Sequence, residues 1–69
     1  MLERWTGEVI GIAHIHQIPL SELAGKVGIS RQALSAYLNG HKKSPSAEFR
    51  IRSALMELVE AREASDASH

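Results

Sequence analysis

The chain has 69 residues and no cysteine, which allows one small domain near the lower limit for independent folding and excludes disulfides and thiolate metal sites. Its formal net charge is zero, so the chain as a whole has no electrostatic attraction to a polyanion. No apolar run could span a bilayer and no signal-peptide pattern opens the chain, so we expect a cytoplasmic protein.

The first predicted element is a helix from Leu2 to about His16, because apolar residues recur there every three or four positions. We expect Trp5, the only tryptophan, to anchor the core. Gly7 and Gly11 each lower helix propensity by roughly 1 kcal/mol relative to alanine. They either allow another helix to approach closely or move the helix start to Thr6. The predicted core face consists of Leu2, Trp5, Val9, Ile12, Ala13 and His16.

The prediction of function rests on residues 20–40, which are predicted to form two short helices joined by a turn. Pro19 marks their start, since proline disfavours an α conformation in the preceding residue and is tolerated in the first turn of a helix. A short helix, Leu20–Val27, follows. Gly28 permits a positive φ and therefore ends it. The apolar face of this helix consists of Leu20, Leu23, Ala24 and Val27.

A second short helix is predicted over residues 30–39, with Ser30 as its N-terminal cap and Gly40 just after its end. Two helices this short, joined by three residues, must cross at a steep angle, which is helix-turn-helix geometry. Ala24 fits the inside of the bend. The outer face of the second helix is small and polar, so it can enter a DNA major groove of about 12 Å. That face carries Arg31, Gln32, Ala33, Ser35 and Ala36.

This segment resembles the DNA-binding helix-turn-helix of the lambda-repressor-like Cro/CI family, also called the XRE family. The resemblance is strong over residues 18–40 and weaker to about Val59. It implies an all-α bundle of four or five helices, with one DNA-binding domain over residues 1–64 and a flexible tail over residues 65–69. The matching residues are Leu23, Ala24, Gly28, Ile29, Leu34, Tyr37, Asn39 and Gly40.

The resemblance also implies which residues contact DNA. Base edges would be read at the start of the second helix and one turn later, by Arg31, Gln32, Ala33 and Ala36. Gln32 can bond an adenine, whereas Arg31 can bond a guanine or equally a phosphate. The phosphate candidates are Ser30, Ser35, Asn39, His41, Lys42 and Lys43, of which Asn39 is equally a candidate for merely closing the helix.

The sequence departs from the family at the start of the motif. Family members commonly have a serine or threonine cap and then a glutamine where this chain has Pro19 and Leu20. That glutamine typically contacts the DNA backbone, which the Leu20 side chain cannot do. We expect Leu20 to pack on the first helix instead.

The charges are distributed unevenly despite the neutral total. From Lys26 to Arg52 six basic residues stand against one acid, whereas both flanking parts are acidic. The basic surplus coincides with the predicted helix-turn-helix and favours contact with phosphates. The alternative is that these basic residues cluster by chance on a solvated surface and contact no phosphate.

The last predicted helix begins after a basic loop, with Ser44 or Ser46 as its cap, and runs to about Ala64. We expect Arg50 and Arg52 to face the DNA side rather than to pair with acids. The predicted buried stripe consists of Phe49, Ile51, Ala54, Leu55, Leu58 and Val59. The later turns, with Met56, Val59 and Ala61, would exceed what one subunit can cover, which predicts a homodimer through this helix. The alternative is that they close the core of a monomer.

Together these features predict a sequence-specific double-stranded DNA-binding transcriptional regulator, a Cro/CI-like repressor of phage or mobile-element type. It would bind a palindromic operator as a homodimer and be associated with the nucleoid. The alternative is a protein-interaction module on a helix-turn-helix scaffold, such as an antitoxin, an antirepressor or a dimerisation partner, which the neutral charge and short reading side chains favour. No catalytic motif organises the Ser, His and Asp residues, and His14 and His16 lack metal-ligand spacing. We therefore expect no enzymatic activity, metal, cofactor or small-molecule substrate.

Overall fold

The computed structural model describes residues 4–67, and of Asp66 and Ala67 only the backbone. This part of the chain forms four helices and no strand: α1 (Arg4–Ile15), α2 (Leu20–Val27), α3 (Arg31–Leu38) and α4 (Pro45–Ala67). The predicted all-α bundle is confirmed. Leu2, placed by prediction at the start of the first helix, lies outside the described residues.

The turn between α2 and α3 is built by local signals. Gly28 has a φ of 92°, in the left-handed region that only glycine adopts without strain. The backbone N–H groups of Gly28 and Ile29 both donate to the carbonyl of Ala24, at 2.9 and 3.0 Å. Ser30 Oγ then accepts the N–H of Ala33 at 3.0 Å and begins α3. Ala24 is buried inside the bend, as predicted.

One cluster of apolar side chains joins the four helices. Leu23 of α2, Leu34 of α3 and Ile51 of α4 are fully buried in it. The α1 contribution differs from the prediction, because Trp5 lies half-buried at the edge of the cluster while Thr6 is buried beside it. The remaining buried members are Val9, Ala13, Ile18, Ala24, Leu38, Ala54, Leu55 and Val59.

The two glycines of α1 belong to the helix, which begins at Arg4 rather than at Thr6. A Cβ atom built on Gly7 or on Gly11 would meet no heavy atom within 4 Å. Neither glycine therefore lies at a close approach of another helix in the described chain.

The α4 helix is longer than predicted and exposes part of its expected core stripe. Ser44 Oγ accepts the N–H of Ala47 at 3.3 Å, so Ser44 rather than Ser46 caps it. The helix continues to Ala67, so the expected flexible tail is helical over residues 65–67. Residues 68 and 69 lie outside the described part. The prediction for Phe49 was wrong, since 72% of its surface is exposed.

The later turns of α4 are covered unevenly by the rest of the chain. Val59 is only 6% exposed, so its own subunit covers it, contrary to the expectation that it would need a partner. Met56 is half-exposed and Ala61 is exposed. No helix in the described residues is long and apolar enough to cross a membrane.

Candidate nucleic-acid interface

The α3 helix presents one polar edge to solvent because its apolar side chains, on the opposite face, are buried in the core. Leu34 and Leu38 are buried, and Tyr37 packs partly against them. Arg31 and Gln32, in the first turn, are both exposed. The two long donors predicted to read bases are thus neither buried nor covered by another element within residues 4–67.

The small residues of the same edge lie deeper. Ala33 and Ala36 are half-buried and offer only their methyl groups. A methyl group can contact a thymine methyl but cannot form a hydrogen bond with a base edge. Hydrogen-bonding capacity toward bases is therefore concentrated in Arg31 and Gln32.

The predicted phosphate-contacting side chains at the two ends of α3 already have local roles. Ser30 accepts the Ala33 N–H through its Oγ, so its hydroxyl hydrogen remains to be donated. Asn39 Nδ2 donates to Ser35 Oγ at 3.1 Å, while the Asn39 backbone N–H donates to the Ser35 carbonyl. Asn39 closes the helix, which was the alternative role considered for it.

The basic loop folds back on the end of α3. Gly40 has a φ of 81°, and the N–H groups of His41 and Lys42 donate to the Ala36 carbonyl at 2.9 and 3.2 Å. These bonds place His41, Lys42 and Lys43 directly after α3, with all three side chains exposed. The Lys42 ammonium lies 6.0 Å from the centroid of the Tyr37 ring, at the outer limit of a cation–π contact.

Several of the basic residues counted in the sequence are held by other groups. Lys26 Nζ lies 3.9 Å from a Glu57 carboxylate oxygen. Arg52 pairs with Glu48 at 3.1 Å and approaches Glu8 at 3.9 Å, which contradicts the expectation that it faces the DNA side.

The guanidinium of Arg50 is also committed within the fold. Arg50 Nη2 donates to the Val27 carbonyl at 2.8 Å and so satisfies the C-terminal end of α2. Arg31 on the helix and Lys42 and Lys43 on the loop are the described basic residues that lie exposed on α3 or directly after it.

The start of α2 lacks the polar side chains of its family. Pro19 takes an extended conformation and makes no side-chain cap, although its carbonyl accepts the N–H groups of Glu22 and Leu23. Leu20 is half-buried against the core cluster. Pro19 and Leu20 can therefore offer DNA only backbone groups, whereas the hydroxyl of the next residue, Ser21, is exposed.

A bond between distant residues fixes the first turn of α2. Arg62, in a late turn of α4, donates two hydrogen bonds to the Glu22 carboxylate, at 3.0 and 3.1 Å. These bonds lower the pKa of Glu22 below its ordinary value and raise the pKa of Arg62. This pair was not predicted from the sequence, because 40 positions separate the two residues and no local pattern links them.

The fold and this surface define a helix-turn-helix protein whose second motif helix is open to solvent. Residues 16–49 match the protein family described as Helix-turn-helix. The chain belongs to this lambda-repressor-like, or XRE, family, as its motif residues predicted. At the level of the family it is a helix-turn-helix DNA-binding regulator. Comparisons with curated proteins and with solved structures found no match.

Proposed function

We propose that this protein is a sequence-specific regulator of transcription that inserts α3 into the major groove of double-stranded DNA. The observation that carries the proposal is the exposed first turn of α3, with Arg31 and Gln32, beside the exposed basic loop of residues 41–43. A helix presented in this way matches the docking geometry of helix-turn-helix proteins, in which the N-terminal part of the second helix contacts base edges.

The proposed reading residues are Arg31, Gln32, Ala33 and Ala36. Gln32 is assigned to adenine through N6 and N7, and Arg31 to guanine through O6 and N7 or to a phosphate. Each bidentate contact would discriminate against the wrong base by roughly 1–3 kcal/mol. The two alanines would contribute only through contact with thymine methyl groups.

The proposed phosphate contacts flank this helix. Lys42 and Lys43 would act as flexible point charges, since a lysine ammonium carries no base information when it contacts a phosphate. The neutral candidates would donate hydrogen bonds from hydroxyl, amide or imidazole groups and would fix the register on the duplex. They are Ser30, Ser35, Asn39 and His41.

The finer assignment is a Cro/CI-like repressor of phage or mobile-element type that binds a palindromic operator as a homodimer through α4. Phe49 and Met56 support the use of α4, because they are seven positions apart on the helix side opposite the core and are 72% and 50% exposed. Two reading helices on a two-fold axis would be spaced about 34 Å apart on the duplex.

The test is selection of bound sites from a random pool of DNA duplexes. We expect a palindromic consensus whose half-sites are separated by one helical turn. An asymmetric consensus would refute the homodimer, and recovery of unenriched sequences at low salt would refute sequence-specific binding.

Two variants separate the assigned roles. Gln32→Ala should remove the preference at one base pair per half-site while leaving the other positions unchanged. Lys42→Ala should weaken binding to all sequences equally. An unchanged consensus with Gln32→Ala would show that the reading face is assigned wrongly.

The second candidate function is a protein-interaction module on the same scaffold. The exposure of Ile15 and Phe49, at 75% and 72%, favours it, because such large apolar surfaces are typical of sites where another protein packs. Its affinity for a partner would change little with salt, whereas DNA binding would fall steeply. Binding of a protein partner without any affinity for DNA at low salt would favour this second function.

A further inference from the structure

A cleft lies where the first turn of α1, the end of α3, the basic loop and the first turn of α4 meet. Its volume is about 280 Å³. At about 30 Å³ per water molecule, this space could hold roughly nine waters or one small ring compound. This volume lies just below the range of about 300–1,000 Å³ that is usual for ligand sites, so any occupant must be small.

The cleft combines aromatic walls with cations. Trp5 and Tyr37 line it and are both half-buried, so their rings remain partly accessible. Lys42 and Lys43, both exposed, also line it, and the Lys42 ammonium lies near the Tyr37 ring. This arrangement is complementary to a flat apolar body that carries a negative charge at one end.

The acid that lines the cleft does not cancel this preference. Glu48 is bonded to Arg52 at 3.1 Å, so its charge is largely compensated by that guanidinium. An anion in the cleft would therefore be attracted by the exposed ammonium of Lys42.

We propose that the cleft binds a small planar aromatic carboxylate, with its ring between Trp5 and Tyr37 and its carboxylate on Lys42. An aromatic ring gains from offset or edge-to-face contacts with other aromatic rings, and a carboxylate gains from a charge-assisted hydrogen bond.

Occupancy would also regulate DNA binding, a consequence that rests on the proposed function. The carboxylate and a DNA phosphate would compete for Lys42, so the bound compound would act as an anti-binding effector. Loss of one phosphate contact at about 0.1 M monovalent salt lowers the affinity for DNA about eightfold, given a slope of about 0.9 per contact.

Binding is tested with benzoate, with benzamide as its neutral counterpart of the same shape. Trp5 is the only tryptophan, so its indole N–H gives a single resonance that reports directly on the cleft. At the affinity per atom typical of small ligands, benzoate should bind with a dissociation constant of about 1–10 mM and shift this resonance saturably. Benzamide should bind at least threefold more weakly.

Matched lysine variants locate the charge that matters. Lys42→Gln should weaken benzoate binding to the level of benzamide, whereas Lys26→Gln, at a lysine outside the cleft that pairs with Glu57, should leave it unchanged. An unmoved Trp5 resonance at 50 mM benzoate, equal binding of both compounds, or equal losses in both variants would overturn the proposal.

The regulatory consequence is measured separately, as the affinity for a selected DNA site at constant ionic strength. Saturating benzoate should reduce this affinity in the unmodified protein and not in Lys42→Gln. A chain that binds no DNA would refute the proposed function, while the Trp5 titration would still decide the cleft. Benzoate binding without an effect on DNA affinity would overturn the regulatory part alone.

Discussion

The salt dependence of DNA binding can be derived from the cations that lie on α3 and on the loop after it. Three cations lie on α3 and the following loop: Arg31, Lys42 and Lys43. With a slope of about −0.9 per neutralised phosphate, three contacts give a log–log slope of about −2.7 for one protomer and −5.4 for two. Raising monovalent salt from about 50 to 200 mM should then weaken binding about 40-fold for one protomer and about 2,000-fold for two.

The slope alone does not distinguish three contacts from each of two protomers from six contacts from one protomer, but a pair of variants does. Six contacts from one protomer, the number of basic residues between Lys26 and Arg52, would also give about −5.4. Lys42→Ala should make the slope shallower by about 0.9 in a monomeric complex and by about 1.8 in a dimeric one. Lys26→Ala should change it less, because the Lys26 ammonium lies beside a Glu57 carboxylate, on the side of α2 that faces α4.

The measurement is fluorescence anisotropy of a labelled duplex at five or more salt concentrations. The duplex carries the selected site, and the buffer is free of divalent cations. A slope shallower than about −1 would refute binding through three cations per protomer. An equal change of slope in both variants would refute the argument that acid pairing withdraws Lys26 from the interface.

The remaining predictions concern stability and are measured by chemical denaturation. Gly28→Ala should destabilise the fold by about 0.5–1.5 kcal/mol, because φ is 92° there. The same change at Gly7, which lies in a helix with open space around it, should stabilise the fold by about 0.5–1 kcal/mol. A change of stability in the same direction for both variants would contradict this. Gln17→Gly should stabilise by about 0.5–1 kcal/mol, since Gln17 holds a φ of 56°; a loss of stability would disprove strain at this position. Glu22→Gln should destabilise the fold at pH 7, because the ionised Glu22 carboxylate accepts the hydrogen bonds from Arg62. The difference in stability from the unmodified protein should vanish as the pH falls through the lowered pKa of Glu22. The control is Glu57→Gln, which removes only a 3.9 Å contact with Lys26 and should change stability less. A pH-independent difference would exclude the charge of Glu22 as its cause.

The helix-turn-helix could be predicted closely from the sequence because its signals are local. Gly28 ends α2, Ser30 caps α3 and Pro19 marks the start of the motif, and each acts within four residues of its own position. Both helices have the predicted bounds to within one residue. The exposure of Arg31 and Gln32 followed from the burial of the opposite helix face.

The wrong predictions concern residues that were judged by their hydrophobicity or charge alone, without the groups that they contact in the fold. Phe49 is apolar, but at 100° per residue it stands about 200° from Ile51, so the helical period itself turns it away from the core stripe. Arg50 and Arg52 were assigned to DNA from their position in a basic segment. Their true partners are a carbonyl of α2 and two acids, one of them on α1, which no local pattern could identify.

The limited reading capacity of α3 favours the proposed pairing of two protomers on one DNA site. Two side chains able to form bidentate contacts, Arg31 and Gln32, would supply roughly 2–6 kcal/mol of discrimination per protomer. Specific complexes typically exceed non-specific ones by about 4–10 kcal/mol. One protomer therefore reaches only the lower part of this range, whereas two protomers on one site, with about 4–12 kcal/mol, cover it. We infer that two copies of this chain on the same duplex would reach the full range of specificity, whereas a single copy would reach only its lower part.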